Sequence, residues 1–127
     1  FDNLPSFKTL TDRVQREAKT GFIKALDGRR LTVRSEHAAL NTLLQGAGAI
    51  VMKQALILLE EMITKNRLDA KFVANVHDEW QIEVRADHAD AVGKLGVAAI
   101  VEAGKILNLN CPLDGDYNVG SNWSDTH

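Results

Sequence analysis

The sequence predicts an α+β fold: two antiparallel hairpins and a short C-terminal strand packed with three main helices. Three observations carry this. Apolar residues recur at helical spacing in three separate stretches, two pairs of short β-prone runs flank tight-turn candidates, and an edge-strand candidate follows the last helix. A chain of 127 residues, 45% of them hydrophobic, is long enough for one core and short for two domains, so 1–127 is expected to form a single compact unit.

In chain order, Phe7, Leu10, Val14 and Ala18 mark a surface helix from Pro5 to about Lys19, with Ser6 or a neighbour available as its cap. Runs 22–26 and 31–34 flank Asp27-Gly28, a dipeptide suited to the positive φ angles of a two-residue hairpin turn. Counting outward from that turn pairs Leu26 with Arg29, Ala25 with Arg30 and Lys24 with Leu31. The cations then gather at the tip, where they are suited to phosphate. Ser35 caps a long helix starting at Glu36, whose acid suits the helix dipole. Gly46 and Gly48 weaken that helix, so a kink or close backbone packing is expected there. Between Ile50 and Leu59 only Lys53 and Gln54 are polar, which predicts burial on most sides. Glu61 and Lys65 form a favourable i,i+4 pair near its end.

A second hairpin is expected from runs 71–77 and 80–85 around Asp78-Glu79, with His77 opposite Trp80, Asn75 opposite Ile82 and Val73 opposite Val84. A slip of one residue would reverse the faces. The last helix is expected after an Asp87 cap, with Asp90 three residues on, and to run to about Leu107. Its Gly93, Gly96 and Gly104 require packing to hold it. Beyond lie Pro112-Leu113 and an edge strand near Tyr117-Asn118-Val119.

The formal net charge of −2 conceals an asymmetry. Residues 1–34 carry eight Lys or Arg against four acids, a surplus of four, and the remainder carries seven against thirteen, a deficit of six. A basic arm and an acidic body suit a site that grips a polyanion at one end and holds cations at the other; ordinary solvated faces explain it equally well. No uninterrupted apolar run of bilayer-spanning length and no signal-peptide start is seen, so a soluble, intracellular protein with no membrane partner is expected. Cys111 stands alone and cannot form an internal disulfide or suggest a zinc knuckle. The chain begins with Phe1 and reads as cut from something longer. Asp114-x-Asp116-x-Asn118 with Asp125 imitates a calcium loop, but its glycine is the seventh residue, Gly120, and Val119 occupies the sixth.

The acidic turn breaks a local rule. Tight hairpins favour a glycine, and here two adjacent carboxylates that repel each other occupy the corner. A divalent cation would relieve that repulsion, so Asp78 and Glu79 are candidate metal ligands and catalytic residues. A solvated acidic turn is the other reading the residues allow.

Four segments bear on that choice by their order: Leu26-Asp27-Gly28-Arg29-Arg30-Leu31, His37-Ala38-Ala39-Leu40-Asn41-Thr42-Leu43-Leu44-Gln45-Gly46, Val76-His77-Asp78-Glu79, and Gly120-Ser121-Asn122-Trp123 before a terminal histidine. In that sequence and spacing, over nearly the whole chain, they resemble the C-terminal part of a family A, DNA polymerase I-like enzyme of the phage replicative type. The resemblance implies the later part of a polymerase palm, with two magnesium ions held between carboxylates of separate palm motifs. Asp78 matches the metal-binding aspartate of the hairpin, Glu79 its acidic neighbour with a secondary contribution, and His77 a residue beside the primer terminus. Asn41 and Gln45, i,i+4 on the long helix, match residues that hydrogen-bond minor-groove edges of primer-template DNA, testing pair geometry without reading sequence. His37 lies one turn earlier, where many members carry arginine. Arg29 and Arg30 are candidate DNA contacts at the first tip.

The resemblance also implies that the first palm motif with the other metal-binding aspartate, the fingers residues that hold a dNTP, the thumb and the exonuclease region all lie outside these 127 residues. An upstream polymerase portion is therefore an expected partner, beside primer-template DNA and dNTP. The chain alone is expected not to polymerise, and to self-associate through uncovered apolar surface. Cytoplasmic localisation follows, in a bacterial host if the protein is phage-encoded. Two other readings stay open: a noncatalytic DNA- or partner-binding module, such as a split-polymerase subunit or degenerate remnant, and a small magnesium-dependent nuclease using Asp78 and Glu79.

Overall fold

The computed structural model describes residues 4–126. Its order is α1 (Pro5–Ala18), β1 (Phe22–Lys24), β2 (Arg30–Thr32), α2 (Ala39–Lys65), β3 (Ala70–Val76), β4 (Glu79–Val84) and α3 (Ala89–Ile106), with 3-10 turns ahead of α2 and α3 and near the C-terminus. This is the expected mixture of three helices and two small antiparallel sheets. Two compact units are present, Phe1–Ile50 and Val51–His127, with their boundary inside α2.

In the first unit, α1 starts on Pro5, whose missing N–H costs nothing at a helix start. Leu4 occupies the cap without a side-chain hydrogen bond, so the cap expected from Ser6 is not formed. Val14 and Ala18 of α1 pack with Ile23, Val33 and Ala39, and Leu31 and Leu43 close this small core. Gly46 admits Leu31, which lies 2.8 Å from where a Cβ would stand. Close packing therefore accounts for Gly46. Ser35 accepts from the Ala38 backbone N–H at 3.3 Å, the expected cap, over one 3-10 turn.

The first hairpin is one residue looser than expected. Lys24 pairs with Arg30, Ile23 with Leu31 and Phe22 with Thr32. Ala25 donates to Arg29 O at 2.8 Å and accepts from Gly28 N at 2.9 Å, enclosing a three-residue loop, Leu26-Asp27-Gly28. Gly28 at φ +90° supplies the left-handed residue that completes such a loop.

In the second unit, Leu59, Ile63, Val92 and Ala99 form the core, against which Phe72, Trp80, Ile82 and Val84 pack from the second hairpin. That hairpin turns one residue earlier than expected, on His77-Asp78, so Val76 pairs with Glu79, Asn75 with Trp80 and Ala74 with Gln81. A bulge then intervenes between Phe72 and Ala74, and Phe72 pairs with Ile82. The bulge absorbs the register slip. Trp80, Ile82 and Val84 share one face of the hairpin and that face meets the core, while the extra residue Val73 is put out to solvent, 63% exposed, and Phe72 packs on the core with them.

The start of α3 is also shifted. His88 is its N-cap with no side-chain bond, and Asp87 instead pairs with Arg85 at 2.9 Å, so the Asp87 cap is not formed. The glycines of α3 are explained by what lies on them. A Cβ on Gly93 would collide with the Tyr117 ring, and one on Gly104 would press on Leu113 at 3.0 Å. Residues 113–117 therefore lie directly along α3. No strand forms at 117–119, contrary to expectation. Asp114 and Asp116 accept from the N–H groups of Gly115 and Tyr117 at 2.8 and 2.9 Å, and the side chains of Leu113 and Tyr117 are drawn onto the helix, so the backbone is held away from a ladder.

One expectation about α2 also changes. Ala55 and Leu59 are fully buried, yet Ile57 is 54% exposed, so its second half has one buried face and one open one. The stretch Glu36–Lys65 is long and apolar enough to cross a bilayer by length and composition, although Lys53 and Gln54 interrupt its apolar run.

Candidate functional site

The second turn is built from two residues without glycine. His77 takes φ +55°, a left-handed conformation in which histidine is one of the better tolerated side chains. It costs about 1–2 kcal/mol relative to an ordinary conformation. That strain thrusts Asp78 to the exposed end of the hairpin, where its carboxylate hydrogen-bonds to no described residue. Glu79 opens β4 and is half-buried. Its Oε1 accepts from Gln81 Nε2 at 2.7 Å. Glu79 and Gln81 are i,i+2 on one face of the strand, opposite Val76 and the small Ala74.

Asp78 and Glu79 line a cleft of about 360 Å³. Apolar Leu59, Val92 and Ile100 line it too, together with Asp116, Tyr117 and Asn118. Tyr117 is held by its hydroxyl, which donates to Asp90 Oδ1 at 2.5 Å; Asp90 also meets Lys94 at 3.2 Å. These bonds hold the Asp90 carboxyl below its ordinary range, the Tyr117 bond contributing most, and the same bond raises the Tyr117 phenol.

The two turn carboxylates offer hard oxygen donors in reach of solvent, the chemistry magnesium prefers when it is held by one or two carboxylates and completed by water and phosphate. Among the described residues no third Asp, Glu, His or Cys joins them to make a metal cage. The pair fits a magnesium site as part of a donor set. In the calcium-like stretch, Asp114, Asp116 and Asp125 accept from neighbouring backbone N–H groups, Asp125 from Ser121 at 3.1 Å.

In the first unit, Asn41 and Gln45 stand on one face of α2, both exposed, and neither side chain hydrogen-bonds to a described residue. His37 is exposed in the 3-10 turn before them. At the first tip the two arginines are already engaged. Arg29 donates through Nε to Asp27 Oδ2 at 2.8 Å and pairs with it through a second guanidinium nitrogen at 2.7 Å, and Arg30 lies over the Phe22 ring at 5.8 Å. The bond from Arg29 is the main cause that holds the Asp27 carboxyl below its ordinary range.

The structure thus brings His77, Asp78 and Glu79 to one turn of the second unit, and Asn41 and Gln45 to one face of the first. Sequence reasoning missed Gln81 and the Tyr117–Asp90 bond, and met Asp116 only in the calcium-like stretch. Strand alternation puts Gln81 on the face of Glu79, two residues away; nothing in the sequence pointed to the Tyr117–Asp90 bond.

The chain resembles known proteins over most of its length. Residues 1–125 match the model of DNA polymerase family A. A DNA-directed DNA polymerase of Escherichia phage Phieco32 is 37% identical over 97% of this chain and 21% of its own length. A DNA-directed DNA polymerase of Escherichia phage T7 is 41% identical over 86% of this chain and 16% of its own. The POL domain of Pol1 from M. smegmatis, solved in complex with DNA primer-template and dNTP, superimposes with a TM-score of 0.72 at 26% identity, covering 81% of this chain and 20% of that one. The chain spans about a fifth of the length of these relatives.

Proposed function

The chain belongs to DNA polymerase family A, and from that premise we propose that it supplies the later part of the palm of a template-directed DNA polymerase. In this reading Asp78 is a metal-binding catalytic residue and Glu79 assists it. His77 lies beside the primer terminus. Asn41 and Gln45 donate to minor-groove acceptors, with His37, Arg29 and Arg30 adding contacts to the DNA.

The observation that carries the reading is the state of Asp78. Its carboxylate projects from a strained turn with no hydrogen bond to a described residue, beside a second carboxylate, in a chain whose other turn aspartate is fully engaged. Asp78 and Glu79 would hold magnesium there, and the bound ion would supply charge stabilisation for nucleotidyl transfer. Asp78 contributes an exposed oxygen, and Glu79 a carboxylate whose orientation Gln81 restrains. Asn41 and Gln45 keep free amides suited to acceptors that all correct base pairs share.

A two-ion site needs the other palm aspartate, so the chain alone is inactive in this reading and works with a further polymerase portion, primer-template DNA and dNTP. Cytoplasmic localisation follows, in a bacterial host if the protein is phage-encoded. Exposed apolar side chains such as Ile57 and Val73, 54% and 63% exposed, support self-association of the isolated chain. A strictly monomeric sedimentation profile at high concentration would count against that part. The test of the main reading is complementation: supplying the missing portion restores primer extension, and Asp78→Ala then abolishes it. Extension indifferent to Asp78→Ala favours a noncatalytic module. DNA cleavage by the purified chain with magnesium, lost in Asp78→Asn, favours the nuclease.

A further inference from the structure

We propose that Gln81 is a positioning residue for the catalytic turn, acting through Glu79; this rests on the function proposed above. The amide is placed for that work and for little else. Gln81 Nε2 donates to Glu79 Oε1 at 2.7 Å, both residues are part-buried, and both line the cleft beside Asp78. Strand alternation puts them on one face, and the residue opposite Gln81 is Ala74, small enough to leave the amide room.

The chemistry of the donor matters. A lysine or arginine at position 81 would neutralise Glu79 and weaken its attraction for a cation, whereas a neutral amide fixes one carboxylate oxygen and leaves the charge intact. The restraint also removes rotamers in which Glu79 swings out to solvent, so less freedom is lost when a cation is engaged. Outer-shell donors of this kind typically change metal affinity or activity by 10–100-fold when removed.

The test is a double-mutant cycle in the complemented polymerase, read by primer extension and by Mn2+ affinity from water-proton relaxation. Gln81→Met keeps the shape and removes the donor. It is expected to weaken Mn2+ binding and to lower kcat at saturating dNTP by about tenfold, with Tm unchanged. In a Glu79→Gln background the same change is expected to have almost no further effect. Gln81→Glu, which puts a second carboxylate against Glu79, is expected to lose more than Gln81→Met, and Gln81→Asn to recover part of the loss. Equal effects of Gln81→Met with and without Glu79, or no effect on kcat and Mn2+ affinity, overturn the proposal. Asp78→Asn in the same assay separates the two claims. If it leaves extension intact, the polymerase reading falls and this inference with it; if it abolishes extension while Gln81→Met is silent, only this inference falls.

Discussion

At the tip of the first hairpin, Asp27 accepts from the backbone and guanidinium of Arg29, and Gly28 provides the left-handed residue. At the tip of the second, a histidine takes the left-handed place, and Asp78 is presented to solvent without a hydrogen bond to a described residue. The two tips share a β-hairpin and an aspartate and differ in whether the chain itself satisfies the acid. A turn acid that closes on its own neighbour stabilises a loop. One held open on a strained backbone is suited to a partner from outside, which is where rule-breaking local structure acquires a functional meaning.

The largest expected effect separates the tips by activity. In the complemented polymerase, Asp78→Asn should lower primer extension by about a thousandfold or more, as loss of several kcal/mol of metal-mediated stabilisation implies. Asp27→Asn should change it by less than about threefold, the range of an ordinary surface substitution. Comparable losses at both would erase the distinction.

Backbone substitutions sharpen it next. Gly28→Val forces a β-branched residue to φ +90° and should destabilise the first unit by about 2 kcal/mol, measured by urea denaturation. His77→Gly should do the reverse, raising stability by up to about 1 kcal/mol while reducing extension, because the strain at 77 is relieved and the tip loosened. A destabilised His77→Gly protein would show that the turn is held by contacts of the imidazole.

The smallest effect is in pH. The Arg29 side-chain bond lowers the Asp27 pKa from the ordinary 3.8, so its contribution is present above that value and lost as pH falls through the lower folded value. Amide protection at 25–29, taken relative to the intrinsic exchange rate at each pH, should therefore fall on acidification below the ordinary carboxylate range, and Asp27→Asn should remove that dependence. In the second unit Tyr117 has the opposite sign: its raised pKa makes its bond to Asp90 complete below 10.0 and lost as pH rises through the higher folded value. Tyr117→Phe should abolish that alkaline limb.

Element types were legible because periodicity and turn chemistry are local. Val14 and Ala18 lie on the buried side of α1, Ser35 caps, and Trp80, Ile82 and Val84 face the core. What was not legible depended on contacts between distant residues or on one residue of register. A bulge at Val73 cannot be read from a pattern that alternates cleanly, and the glycines of α3 become intelligible only once Tyr117 and Leu113 lie against them. The burial expected of Ile57 failed because hydropathy reports which surface should be covered, not what is present to cover it. The candidate ligands Asp78 and Glu79 were legible as a broken rule, though the turn itself falls on His77-Asp78. Alternation puts Gln81 on the face of Glu79, but the bond between their side chains is not visible in a pattern.

The most direct measurement of the central claim is a magnesium titration of the chain followed by residue-resolved NMR, which reads both hairpins at once. Shifts should concentrate at 77–81, leave 27–29 unmoved, and vanish in Asp78→Asn. Equal shifts at the two tips, or shifts at 77–81 that survive Asp78→Asn, would contradict the assignment of Asp78 as the carboxylate held open for a cation.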